Sequence, residues 1–225
     1  MRDTYRLRNN TIAQYMNLLT IALNYAVKKD FLQSNPFKKL DGFEKIHNEQ
    51  SKREYLTAEE LQKLAETPCK SEALKRAYMF SAYTGLRISD IKGLQWQHII
   101  TTNGTKRVEK MQQKTKYIVS VPLSSKALQW LPEQGEAPET ANVFTLLPKS
   151  TLCKYMREWV QNAGIKKKIT FHTARHTFAT LLLTMGADLY VTSKLLGHTN
   201  INTTQIYAKI IDKKREEAIN LLDNI

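Results

Sequence analysis

Cysteine, glycine and proline are scarce in this chain, at 2, 8 and 6 of 225 residues. Cys69 and Cys153 lie far apart with no neighbour at C-x-x-C spacing, which excludes a disulfide framework and a zinc knuckle; both are expected to be reduced and partly buried. Long apolar runs are missing too. No segment approaches the roughly 18 apolar residues that span a bilayer, and the opening MRDTYRLRNN leads into no signal-like apolar stretch. The chain is therefore read as soluble and cytoplasmic, without a membrane partner. Acidic residues are also in deficit, 21 against 34 Lys and Arg, for a formal charge of +13. That excess favours a polyanionic partner, nucleic acid first and a membrane surface second, against the plainer reading of a soluble basic protein. With 42% hydrophobic residues, 225 residues support one main domain and a smaller piece.

Ile12, Met16, Leu19, Leu23 and Val27 recur at three- and four-residue spacings, so Thr11 to about Lys29 reads as an amphipathic helix. A short helix or turn interrupted by Asn35-Pro36 follows. About 45 residues with one strong helix cannot enclose a core, so this piece reads as the tail of a larger domain. The polar stretch from Asp41 to Arg53 reads as a linker. Thr57-Ala58-Glu59-Glu60 has capping-box spacing and opens a new helical domain. A helix over Leu74 to Tyr83 is expected to stop at Gly85, and a shorter one over Leu86 to Leu94 places Arg87 in its first turn. From His98 to Leu123 the texture turns β-branched. Asn103-Gly104 signals a type I′ hairpin, and residues 117–121 read as a strand, giving a sheet of three antiparallel strands. Helical spacing returns in Ser150 to Asn162, His172 to Met185, Ala187 to Leu196, and Asn202 to about Leu222, with Gly164 and Gly186 as punctuation. The fold class is thus mainly α with a small three-stranded antiparallel sheet (α+β).

The densest chemical feature is His172-Thr173-Ala174-Arg175, which puts an imidazole and a guanidinium on one face near a helix N-terminus. That end favours anions; arginine can grip two phosphate oxygens, and histidine can donate or exchange a proton. Taken alone, the pair also fits a solvated basic face. His172 and His176 have the i, i+4 spacing of zinc ligands, but Thr173 stands where a zinc protease needs Glu and no third ligand cluster is evident. His176 is read as a packing or hydrogen-bonding residue, and neither a metal nor a cofactor is expected.

The pair stands in an ordered series: Thr84-Gly85-Leu86-Arg87-Ile88-Ser89-Asp90, then Gln113-Lys114-Thr115, His172 to Arg175, Leu195-Leu196-Gly197-His198, and Tyr207. From about Lys52 to Ile225 this series resembles the catalytic domain of the tyrosine recombinase, or phage integrase, family. The resemblance implies that Arg87 and Arg175 clamp the scissile phosphate in place of a metal, with Asp90 holding Arg87. It implies that Tyr207 is the nucleophile, leaving a 3′-phosphotyrosine and a free 5′-hydroxyl, and that His172 assists its deprotonation. Lys114, on the hairpin, would protonate the departing 5′-oxygen; Lys110 and Lys116 are nearby, and the Gln113-Lys114-Thr115 context selects Lys114. His198 would donate to a phosphate oxygen.

On the same resemblance, residues 1–47 look like the C-terminal remnant of a helical, SAM-like core-binding domain plus linker, and 48–225 like the catalytic domain. The chain is then a fragment or a short form. The implied partners are double-stranded DNA, further copies of the chain in a synaptic tetramer, and accessory DNA-bending proteins; the implied location is cytoplasmic, at the nucleoid, in the service of a phage or mobile element. The apolar side of the last helix, Ile210, Ile211, Ala218, Ile219 and Leu222, is expected to dock on its own domain or on a neighbouring subunit. Two rival readings share many of these features. A non-enzymatic helix-turn-helix regulator needs only the two helices around Gly186-Ala187-Asp188, and a type IB topoisomerase would relax supercoils without exchanging strands.

Overall fold

The structure, a computed structural model, describes residues 7–40, 53–114 and 116–207. The linker through residue 52, Thr115 and the apolar side of the last helix lie outside these. The chain divides into two compact units, Met1–Lys52 and Arg53–Ile225.

In the first unit, α1 (Asn9–Lys28) buries Ile12 and Ala13. The expected face is only partly covered: Met16, Leu23 and Val27 are half-buried, while Leu19 is exposed. The Asn35-Pro36 break becomes a 3-10 turn over Pro36–Lys39. Asn35 ties that turn to α1, accepting from the Phe37 amide and donating to the Asn24 side chain and the Thr20 carbonyl.

The second unit is helical around one small sheet. Thr57 and Glu60 form the reciprocal capping box, and α2 runs over Ala58–Glu66. Next come α3 (Glu72–Thr84) and the short α4 (Ile88–Lys92). Strands β1 (Ile99–Thr102), β2 (Thr105–Met111) and β3 (Ile118–Pro122) form an antiparallel sheet in the order β1-β2-β3. Asn103 and Gly104 both have positive φ, 52° and 73°, as a type I′ turn requires. The register pairs Val108 with Val121 and Lys110 with Val119, so Val108, Val119 and Val121 face the core. A helix that periodicity did not reveal, α5 (Ser125–Trp130), is capped by the Ser124 hydroxyl. It is too short for its apolar spacing to stand out. The rest is α6 (Lys149–Asn162), α7 (Phe171–Thr184), α8 (Leu189–Leu195) and α9 (Asn202–Gln205).

Helices α3 and α7 pack together at the centre. Tyr78 on α3 meets Trp159 and Phe171 edge-on, with ring centroids 5.6 and 5.7 Å apart, an arrangement that suits aromatic quadrupoles. The Thr177 hydroxyl on α7 accepts from the buried Leu56 amide, fastening the segment that leads into α2. A second apolar cluster, Phe178, Ala179, Leu183, Leu196 and Tyr207, forms where α7, α8 and the end of the described chain meet. Cys69 is partly buried as expected, whereas Cys153 is exposed because it lies on the outer side of α6. Among the described residues no helix is long and apolar enough to cross a membrane.

Candidate active site

Three chain reversals bring the candidate residues together. The first is the end of α3. Gly85 caps it in the left-handed region, at φ 72°, and a Cβ there would lie 2.5 Å from Phe178 Cδ1. Only glycine satisfies both the backbone and the close approach of α7. The chain leaves this cap extended, so Arg87 is the N-cap of α4 and does not sit in its first turn, as expected from the sequence; its φ and ψ are −72° and 154°. That geometry projects the guanidinium away from α4 toward the β2–β3 connection.

There Arg87 Nη1 donates to Gln112 Oε1 at 2.5 Å. Asp90 is fully buried, and its Oδ2 stands 4.0 Å from Arg87 Nη1, beyond hydrogen-bond range. Its Oδ1 accepts instead from the Gln113 amide at 3.1 Å. Asp90 thus holds the strand connection, and through it the Gln112 that grips Arg87. Lys114 follows on the same connection and is exposed; its charge reaches His172. Lys110 is engaged elsewhere, donating to the Gly93 carbonyl.

The second reversal is at Gly197, at φ 63°, where a Cβ would lie 2.6 Å from Val119 Cγ2 and 2.7 Å from Gln112 Nε2. The chain therefore passes tightly over β3 after α8, and the Leu196 carbonyl is presented inward. Gln112 Nε2 donates to this oxygen at 3.2 Å and Arg175 Nη2 at 2.6 Å, while Arg175 Nη1 donates to the Gly85 carbonyl at 2.8 Å. Arg175 is 4% exposed. Gln112 and the Leu196 carbonyl thereby join Arg87 to Arg175 in one network. Burial, then the neighbouring Arg87 charge, pushes the Arg175 guanidinium down to about 9, which leaves it protonated at neutral pH.

The third reversal, through Asn200 and Ile201 into α9, returns Tyr207 under α7. Tyr207 is 6% exposed, and its hydroxyl lies 2.5 Å from Nδ1 of His176. His172, one turn earlier, is exposed on one side and stacks edge-on against His176, with centroids 4.7 Å apart. His198 Nδ1 is 2.8 Å from the Thr204 hydroxyl. Burial first, then surrounding positive charge, holds all three imidazoles below their ordinary value, His176 and His198 at about 4. Burial pushes the Tyr207 phenol up to about 12, against the pull of Arg53 and Arg175. The free site thus holds neutral imidazoles and a protonated phenol beside permanent cations, the form that accepts an anion.

Two participants escaped sequence reading. Arg53 was absorbed into the polar linker, yet its charge acts on His172, His176, His198 and Tyr207. Gln112 has no charge to attract notice; its place immediately before Gln113-Lys114 was the available signal. Among the described residues no group of three or more His, Cys, Asp or Glu could hold a metal ion.

Residues 54–214 match the sequence model of the phage integrase family, and residues 1–47 match that of the phage integrase SAM-like domain. The chain belongs to the phage integrase family and is an enzyme of the tyrosine recombinase type. It is similar to a tyrosine recombinase of Pseudothermotoga lettingae, 30% identical over 96% of this chain and 76% of the relative. It is also similar to the tyrosine recombinase XerD of Lacticaseibacillus casei, 28% identical over 89% of this chain and 72% of the relative. Among solved structures, the fold resembles XerH recombinase bound to palindromic difH substrate, with TM-score 0.64, 21% identity, and coverage of 98% of this chain and 74% of that one. A lambda integrase dimer bound to a COC′ core site gives TM-score 0.65 at 22% identity, covering 88% and 71%. The Tn1549 transposon integrase with circular intermediate DNA gives 0.68 at 19%, covering 92% and 76%. Family membership decides against the non-enzymatic regulator.

Proposed function

We propose that this chain carries out site-specific DNA recombination by cutting and rejoining strands through a 3′-phosphotyrosine on Tyr207. One observation carries the proposal: the Tyr207 hydroxyl is buried within its own chain, against the helix that bears Arg175. A backbone phosphate docked on the guanidiniums of Arg87 and Arg175 would meet donors already fixed by carbonyl and amide partners. Donors that need no reorganisation stabilise the charge that builds on the non-bridging oxygens in the five-coordinate transition state. His172 and His198 add neutral donors; if the Thr204 hydroxyl donates to Nδ1, the His198 proton sits on Nε2, available to a phosphate oxygen. Tyr207 attacks phosphorus, the bond to the 5′-oxygen breaks, and the exposed Lys114 ammonium supplies that oxygen's proton. Bond energy kept in the phosphotyrosine lets a second 5′-hydroxyl religate without ATP.

Residues 1–47 serve, in this reading, as part of the opposing half of a DNA clamp, and residues 48–225 as the catalytic domain. The match to a SAM-like integrase domain supports the first assignment. Double-stranded DNA and further copies of the chain are the partners; the similar structures bound to difH and to a core site as a dimer support both. A mobile-element setting is supported by the likeness to a transposon integrase, while the sequence relatives include several with Xer names. The excess of 13 positive charges suits action at the nucleoid.

The test uses nicked duplexes carrying sites selected by this protein from a random-sequence pool. Wild type is expected to leave a denaturation-resistant protein–DNA species that Tyr207→Phe abolishes. Supercoil relaxation without strand exchange would favour the topoisomerase reading instead.

A further inference from the structure

The sequence resemblance points to His172 as the assistant to Tyr207, but the ring in contact with the phenol belongs to His176. Its Nδ1 lies 2.5 Å from the hydroxyl of Tyr207, a member of the second apolar cluster, and the ring is buried, at 8% exposed. His172 lies on the outer side of that ring, 4.7 Å between centroids, with its own edge toward solvent. We propose that His176 is the catalytic base of this enzyme, taking the Tyr207 proton on Nδ1 as the phenol oxygen bonds to phosphorus, and returning it during religation. This rests on the phosphotyrosine reading and moves within it a step that the resemblance gives to His172.

Burial and charge together set the rest state, and charge sets its release. The groups facing His176 are His172 on its own helix, Arg175, Arg53, His198 and Tyr207; burial first, then the positive charge among these groups, holds the imidazole neutral, and a neutral ring whose Nδ1 is unprotonated accepts the phenol's hydrogen bond. In the free protein the phenol keeps its proton, since burial raises Tyr207 to about 12 while His176 stays near 4. A phosphodiester anion docked on Arg87 and Arg175 offsets the part of that suppression that comes from positive charge. As the O–P bond forms, the phenolic oxygen loses its basicity, and a neighbouring imidazole becomes the stronger base. The balance is complete: the O–H bond of Tyr207 breaks and N–H forms on His176, O–P forms to Tyr207, O–P breaks to the 5′-oxygen, and Lys114 protonates the leaving oxygen. Reversal restores every proton.

His176→Asn is the diagnostic variant, because the Asn Oδ1 sits close to the place of Nδ1 and accepts the phenol's hydrogen bond without taking its proton. On the selected nicked duplexes, single-turnover adduct formation is expected to fall about a hundredfold or more, with DNA affinity and melting temperature close to wild type. With a 5′-bridging phosphorothiolate, whose sulfur leaves without a proton, Lys114→Ala should recover and His176→Asn should stay slow. Wild-type rates in His176→Asn together with a large loss in His172→Asn would transfer the role to His172 and overturn the proposal. If His176→Asn unfolds, His176→Gln and NMR of the imidazole nitrogens in the wild-type free protein decide: an unprotonated Nδ1 that shifts on Tyr207→Phe supports the proposal, and a protonated Nδ1 overturns it. Absence of any wild-type adduct would count against the phosphotyrosine reading, and the NMR result would still stand on its own.

Discussion

Arg87 is held by Gln112, whose Oε1 accepts from Nη1 at 2.5 Å while its amide nitrogen reaches the Leu196 carbonyl that also binds Arg175. A neutral amide suits this place because one end must accept and the other donate. Gln112→Leu leaves a buried carbonyl and a guanidinium short of partners, and should slow cleavage about tenfold or more with a modest loss of DNA affinity. Gln112→Glu keeps an acceptor for Arg87 but sets a carboxylate against the Leu196 carbonyl. Its melting temperature should fall below wild type; a glutamate variant as stable and as fast as wild type would show that the link to Leu196 is idle.

Arg175 donates from two nitrogens to the Gly85 and Leu196 carbonyls and is almost wholly buried. Lysine has a single ammonium and cannot span both carbonyls while facing a phosphate. Arg175→Lys should lower the cleavage rate by on the order of 10²–10³ and stability by about 1–3 kcal/mol. Single-turnover cleavage and chemical denaturation measure the two separately.

Gly85 and Gly104 share a left-handed backbone, at φ 72° and 73°, but differ in surroundings: a Cβ at Gly85 meets Phe178 at 2.5 Å, and one at Gly104 meets nothing within 4 Å. Alanine at either position costs about 1–2 kcal/mol for the backbone, and at Gly85 a further 1–3 or so for overpacking. Denaturation of the two variants should show that gap. Gly85→Ala should also cut cleavage, since the Gly85 carbonyl orients Arg175, whereas Gly104→Ala should cleave normally.

His176 and His198 are held near 4 in the folded protein against an ordinary value of 6.5. Between those values the unfolded chain takes up protons that the folded chain refuses. Stability contributed by the neutral rings is therefore full above about pH 6.5 and is lost as pH falls toward 4. Melting temperature should decline across that window, and His198→Gln should decline less steeply than wild type. Equal slopes for the two proteins would remove His198 as a contributor.

Elements with local causes were legible before any coordinates. The Thr57–Glu60 capping box, the Asn103-Gly104 turn, the Gly85 cap and the helices near Thr11–Lys29, Ser150–Asn162 and His172–Met185 each follow from hydrogen bonds, side-chain periodicity or steric limits within a few residues, and these formed where expected. The residue types able to bind and transfer a phosphate could also be named, because guanidinium, imidazole, ammonium and phenol chemistry belongs to the side chain itself. Family membership followed from their order along the chain.

What tertiary structure alone decided is which of these groups touch. Arg87 looked like a helix residue steadied by Asp90 and is an N-cap hydrogen-bonded to Gln112, with Asp90 in a longer ion pair at 4.0 Å, because α4 starts two residues later than expected and turns the guanidinium toward the sheet. Arg53 reads as linker from its neighbours and acts on the site through space. His176, one position beyond the H-x-x-R pair, meets Tyr207 across 31 residues of chain because α8 and the tight passage at Gly197 fold the tyrosine back under α7. Sequence order records helix faces and caps, whose causes are local. A hydrogen bond between residues far apart depends on how the elements close on one another, which comes from packing summed over the whole core.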